Sequence, residues 1–121
     1  MANQGLCIKS ELGKNLEKKS RSWIFSGSMT VFQIINIQDF LKSKNLKQEL
    51  AGISQWILDF KLINQIDTAG IAYVLACIRA AELYSCELNL INFPEEAEKL
   101  AKAQGVFDFL RCRGESCIRP I

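Results

Sequence analysis

Ile66-Asp67-Thr68-Ala69-Gly70-Ile71-Ala72-Tyr73-Val74-Leu75 is the stretch on which the reading of the fold turns. An acidic residue, a hydroxyl residue and two small residues stand where a strand-plus-loop segment gives way to a long helical pattern, Ala69 to about Tyr84. Asp67 or Thr68 can cap the free N–H groups of the first helical turn. Ala69 and Gly70 are small enough for another surface to approach the backbone closely. In isolation these four residues require no explanation beyond a helix cap.

The helix that follows carries more information. Ile71, Val74, Leu75 and Ile78 form one apolar stripe, the expected core face. Tyr73, Cys77, Ala80 and Tyr84 form a second on another side, and only Arg79 and Glu82 are charged between Ala69 and Tyr84. A helix apolar nearly all round is either fully buried or covered by something outside its own domain. With one helical layer expected, the pattern predicts that Tyr73 and Cys77 belong to a partner surface.

Outward from this helix the elements alternate. Trp56-Ile57-Leu58-Asp59-Phe60 precedes it as a buried-strand candidate, and Glu87-Leu88-Asn89-Leu90-Ile91 follows as another. Pro94 opens a second helix with Glu95 and Glu96 in its first turn, Ala97, Leu100 and Ala101 on its core side, and Gly105 at its end. Val106 to Leu110 is a last apolar segment, a short helix or strand. Upstream, Gln38 to about Ala51 has helical spacing with a bend or late start near Ser43, and Gly52 is its stop. Ser22–Ser26 and Met29–Ile35, both rich in β-branched and aromatic residues and separated by Gly27-Ser28, read as a hairpin. The expected fold is α/β in a single domain: a mixed four-stranded sheet, opened by a β-hairpin, with helices mainly on one face.

Length and charge divide the chain. At 121 residues it is one domain's worth of protein. Residues 1–21 carry net +3, residues 22–110 net −3 and residues 111–121 net +2. The reading is therefore a basic, poorly ordered N-terminal tail over 1–21, the domain over 22–110, and a C-terminal tail over 111–121. An acidic body, and tails with no aromatic residues interleaved among their cations, argue against nucleic acid as a partner. No apolar run approaches the ~20 residues of a membrane span and no apolar h-region opens the chain, so the expected compartment is the cytoplasm.

Several chemistries are excluded by residue type. Histidine is absent, which removes His-based acid/base catalysis, His-activated nucleophiles and His-ligated metals. The five cysteines, Cys7, Cys77, Cys86, Cys112 and Cys117, include no CxxC, and reduced thiols are expected, with no metal and no cofactor. Asp59, Asp67 and Thr68 are the one imaginable catalytic set, a carboxylate-assisted nucleophile. It lacks an activated base, a glycine-rich phosphate loop and a metal cluster, so the chain is not expected to be an enzyme.

With these residues in place, the stretch from Trp56 to Leu110 resembles a STAS domain. The likeness rests on Ile57-Leu58-Asp59-Phe60 as the strand, Ile66 to Ile71 as the D-[ST]-x-G loop and helix start, Leu88 to Asn92 as the following strand, and Leu100-Ala101-Lys102 to Leu110 as the closing segment. Residues 23–35 fit the family's first two strands, so the resemblance covers everything except the two basic tails. STAS domains serve as anti-sigma factor antagonists and, in the MlaB group, as small subunits of phospholipid-transporting ABC complexes. Thr68 directly after Asp67, the Trp23 segment and Leu100-Ala101-Lys102 are most similar to the MlaB group. The stretch before Arg21 is longer than that group has, and the C-terminal Cys/Arg tail has no counterpart there.

The resemblance implies a non-catalytic subunit that binds the ATPase (MlaF-like) of an Mla-type transporter maintaining outer-membrane lipid asymmetry. It would sit in the cytoplasm, held to the inner membrane through the permease. Asp67, Thr68, Ala69, Gly70, Tyr73 and Cys77 would form the docking surface, with Thr68 at its centre. The alternative that the resemblance carries is an anti-sigma factor antagonist switched by phosphorylation of Thr68. A homodimer through the second stripe of the long helix competes with a heteromeric partner.

Overall fold

The computed structural model describes residues 5–14 and 19–111. Four strands form one mixed sheet in the order β1-β2-β3-β4: β1 Cys7–Lys14, β2 Lys19–Met29, β3 Gln55–Ile66 and β4 Glu87–Ile91. β1 and β2 pair antiparallel, whereas β2–β3 and β3–β4 pair parallel. Five helices connect or follow them: α1 Val31–Ile34, α2 Ser43–Leu50, α3 Thr68–Leu83, α4 Glu95–Ala103 and α5 Phe107–Arg111. A 3₁₀ turn over Gln38–Leu41 precedes α2, which accounts for the late start near Ser43.

One face of the sheet carries the core. Trp23, Phe25 and Met29 of β2, Trp56, Leu58 and Phe60 of β3, and Leu88 and Leu90 of β4 alternate inward, as strand pleating requires. The Trp23 ring meets Trp56 edge-on at 4.9 Å and Phe40 at 5.7 Å, while Phe25 stacks on Phe60 at 5.1 Å. Helices cover this face: Ile71, Val74 and Ile78 of α3, Leu46 and Leu50 of α2, and Ala97 and Ala101 of α4 are buried against it. Ile24, Ile57 and Ile91 point to the opposite face and are only half-buried. The Trp23 indole N–H donates to Glu49 Oε1 at 2.9 Å, tying α2 to the sheet.

The expected hairpin is in the wrong place. Ser22–Ser26 and Gly27–Met29 belong to one continuous strand, and Val31–Ile34 is a helical turn rather than a strand. Gly27, read as the turn, has φ +108 inside β2, where the pairing with β3 shifts register between Gly27 and Ser28. It is a bulge, the alternative meaning of an isolated glycine in a strand. The antiparallel partner of β2 is instead Cys7–Lys14, which had been assigned with residues 1–21 to a poorly ordered tail. Pairing along the β2 edge satisfies the backbone groups of this polar segment, which its low hydrophobicity hides from periodicity analysis. β3 also runs past Phe60 to Ile66, because its second half pairs with β2 beyond the reach of β4. The boundary at residue 111 and the C-terminal tail lie outside the described residues apart from the backbone of Arg111.

Candidate functional site

The junction of β2, β3 and α3 is organised by one carboxylate. Asp67 has the extended backbone of an N-cap, and its Oδ1 accepts from the N–H groups of Ala69 at 2.9 Å and Gly70 at 3.3 Å. Its Oδ2 accepts from the Val31 N–H at 3.0 Å, and its own N–H donates to the Met29 carbonyl at 3.1 Å. Asp67 therefore caps α3 and fastens α1 beside the first turn of α3 with the same side chain. The capping expectation for Asp67 holds in full geometric detail.

Gly70 is required for a different reason. A Cβ at this position would lie 2.6 Å from Ile66 Cγ1 and 2.7 Å from the Met29 carbonyl oxygen, closer than any real contact. The glycine lets the first turn of α3 press on the end of β2 rather than opening toward a partner, and it is buried. Ala69 is half-buried beside it. Thr68 alone of the tetrad is exposed, and its Oγ1 accepts a long hydrogen bond of 3.4 Å from Gln104 Nε2 at the end of α4.

Tyr73 and Cys77 do not belong to the surface. Tyr73 is 5% exposed and Cys77 fully buried, so the expectation that they form a docking anchor is corrected. The Tyr73 ring meets Phe25 edge-on at 6.2 Å and its hydroxyl donates to the Ile37 carbonyl at 2.8 Å. Burial pushes the Tyr73 phenol far above its usual range, with the neighbouring Cys77 thiol adding to the shift, and burial alone does the same to Cys77. The reason is geometric: α1 and the 3₁₀ turn pack on α3, and Tyr73 is enclosed between the Phe25 ring of the sheet and the Ile37 carbonyl that links those two turns. The side of α3 left open carries Thr68, Ala72, Ala76, Arg79 and Leu83.

The structure adds residues that the sequence reading missed. Val31, Phe32 and Ile35, in and just after α1, are 58, 83 and 64% exposed. They stand next to the α3 start because the Val31 N–H is bound by Asp67. Large apolar side chains this exposed and this close together are the surface feature that signals a partner. Their β-branched and aromatic character placed them in a strand; Thr30, whose extended backbone precedes a helical turn, was the available sign of a helix start.

No catalytic set is assembled from the residues considered. The Asp67 carboxylate is taken up by three backbone N–H groups, and the Asp59 Oδ1 by Lys61 N–H and Asn92 Nδ2. Among the described residues no three His, Cys, Asp or Glu side chains converge as metal ligands, and no helix is long and apolar enough to cross a membrane. A groove of about 580 Å³ between α2 and α3 is lined by Leu41, Leu46, Ala80, Leu83 and Tyr84, at the opposite end of α3 from Thr68.

No protein-family model matches this chain, and no curated protein matches it by sequence. Among solved structures it is similar to the anti-sigma factor antagonist SpoIIAA in its unphosphorylated form, with a TM-score of 0.59 and 17% identity over 82% of this chain and 83% of the other. It is also similar to the Bacillus cell fate determinant SpoIIAA in the phosphorylated form, with a TM-score of 0.56 and 17% identity over 81% and 85% of the two chains. At this identity the likeness concerns architecture alone: the chain has a SpoIIAA-like fold, with a mixed four-stranded sheet and five helices among the described residues.

Proposed function

We propose that the chain is a non-catalytic docking subunit, and that the exposed side chains of α1 together with Thr68 form its binding face. The observation that carries this reading is the joining of three exposed apolar side chains to the α3 start through the Asp67 carboxylate. Phe32, Val31 and Ile35 would supply the buried anchor of such an interface and the Thr68 hydroxyl a polar contact beside it. Thus the anchor assigned from sequence to Tyr73 and Cys77 passes to α1.

The partner this reading names is the ATPase subunit of an Mla-type ABC transporter of phospholipids, acting in outer-membrane lipid asymmetry and reached at the inner membrane through the permease. The MlaB-like residues around Asp67-Thr68 and Leu100-Ala101-Lys102 support it. So does the apolar character of α1, since permanent subunit interfaces are more hydrophobic than transient ones. Binding one state of the ATPase better than another would stabilise the assembled form.

A second reading, an anti-sigma factor antagonist switched at Thr68, is favoured by the fold shared with SpoIIAA and by the exposure of the Thr68 hydroxyl. A phosphate there would add nearly two negative charges to the docking face at a helix N-terminus, where the fold tolerates it and an apolar partner does not.

Purification of tagged wild-type protein and Thr68→Ala from the native host, with mass spectrometry of the co-purifying proteins, separates these readings. An ABC ATPase and its permease with wild type, reduced with Thr68→Ala, is the expected result. A kinase-like anti-sigma factor, with phosphate on Thr68, would overturn the transporter reading in favour of the switch.

A further inference from the structure

β1 is an edge strand: one side pairs with β2 from Cys7 to Lys14, and among the described residues no strand pairs along the other. Unpaired edges recruit further strands unless charge, proline or a covering element blocks them. Lys9 and Glu11 are exposed on this strand, as is Leu12, and they block approach by most sequences. One sequence is complementary to them, and it is β1 itself.

We infer that β1 pairs antiparallel with β1 of a second copy of this chain, about a two-fold axis through Ser10, joining two four-stranded sheets edge to edge. In that register Lys9 of each copy faces Glu11 of the other, on the face of the sheet away from the helices. Ile8 of each copy faces Leu12 of the other on the helix side, covering a leucine that is 53% exposed in the single chain. Cys7 faces Gly13. Ser10 meets its own copy once, on the axis, and the other pairs from Cys7 to Gly13 join opposite charges, two aliphatic side chains, or a side chain and a glycine, each occurring twice by symmetry.

Neighbouring registers fail on the same residues. An axis through Lys9 sets Lys9 against Lys9, and an axis through Glu11 sets Glu11 against Glu11 and Ile8 against Lys14. Intermediate registers set an outward-pointing backbone position against an inward-pointing one, so no ladder of hydrogen bonds forms. The charges that come near the axis from the helical layer are already neutralised. Each Glu49 carboxylate accepts from Ser10 Oγ at 2.7 Å and Trp23 Nε1 at 2.9 Å, with Arg21 Nε at 3.8 Å. In the single chain Lys9 Nζ and Glu11 Oε2 lie 3.4 Å apart, so dimerisation exchanges two exposed pairs, one within each strand, for two between strands.

Sedimentation equilibrium of the full chain, in low and high salt, tests the pairing. Wild type is expected to show a concentration-dependent dimer. Glu11→Lys, which sets lysine against lysine at two symmetric positions, is expected to weaken it about tenfold or more. The double exchange Lys9→Glu with Glu11→Lys restores opposite charges only in the Ser10 register and is expected to recover the wild-type constant. Leu83→Asp, on the open side of α3, leaves it unchanged. A wild type monomeric at all concentrations overturns the inference, as does a dimer indifferent to Glu11→Lys, a double exchange no better than the single one, or a dimer lost with Leu83→Asp. Circular dichroism of each variant establishes that the fold is retained.

Discussion

The Val31 N–H donates to Asp67 Oδ2 at 3.0 Å, across 36 residues of sequence. This bond makes two loops one surface: it holds the short helix α1, with its exposed Phe32, against the cap of α3, with its exposed Thr68. The same carboxylate caps α3 through its other oxygen, so the helix start and the orientation of α1 depend on a single side chain.

Asp67→Ala removes the cap and the α1 tether together and is expected to cost about 1–2 kcal/mol. Asp67→Asn keeps an acceptor oxygen for one of the two loops but not the charge, and should fall between the two. Urea unfolding followed by far-UV circular dichroism measures both; wild-type stability in Asp67→Ala would contradict the tethering role.

Gly70→Ala should destabilise the protein although alanine is the better helix former. The propensity gain of about 1 kcal/mol is smaller than the cost of moving Ile66 and the Met29 backbone, since overpacking of this kind costs about 1–3 kcal/mol. A lowered thermal midpoint in calorimetry is expected, and a raised one would mean that the contact with Met29 relaxes freely.

Tyr73 and Cys77 make stability depend on alkaline pH. Both groups are held protonated in the fold by burial, and Cys86 is shifted upward for the same reason, whereas in the unfolded chain they ionise near their ordinary values. Their folded-state pKa values are raised, so the contribution is complete below the unfolded values and declines as pH rises through them. Stability is expected to fall above about pH 8.5 for the thiols and more steeply above about pH 10 for the phenol, by up to ~1.4 kcal/mol per pH unit each for Cys77 and Tyr73. Urea midpoints from pH 7 to 11 check the slope, which Cys77→Ala should reduce. In the native protein, thiol reagents are expected to label exposed Cys7 quickly and Cys77 hardly at all, as peptide mapping would reveal.

Exposed Phe32 should separate binding from stability. Phe32→Ala is expected to change unfolding free energy by less than about 0.5 kcal/mol, because its ring is in solvent. The same substitution should weaken partner binding by about 2 kcal/mol, near thirtyfold, if the ring is a central anchor. Tyr73→Phe should do the reverse, losing stability by about 1 kcal/mol through the bond to Ile37 while leaving binding intact.

Much of this architecture is legible before any coordinates. Periodicity places α3, β4 and α4 within a residue or so, and the Asp67 cap follows from residue chemistry alone. What periodicity misses has identifiable physical causes. Cys7–Lys14 is polar and becomes a strand only through β2, so its signal lies in its partner. Gly27 can mark a turn or a bulge, and only the register of β2 on β3 decides between them. Tyr73 and Cys77 share a stripe that is apolar whether it faces the chain's own core or a partner, and no property of α3 itself distinguishes the two.

The most direct test of a docking face built on α1 and Thr68 is quantitative co-purification from the native host with three proteins side by side: wild type, Phe32→Asp and Leu83→Asp. An ABC ATPase is expected to be recovered with wild type and with Leu83→Asp, and lost with Phe32→Asp. Recovery of that ATPase with Phe32→Asp at the wild-type level, or its loss with Leu83→Asp alone, would contradict it.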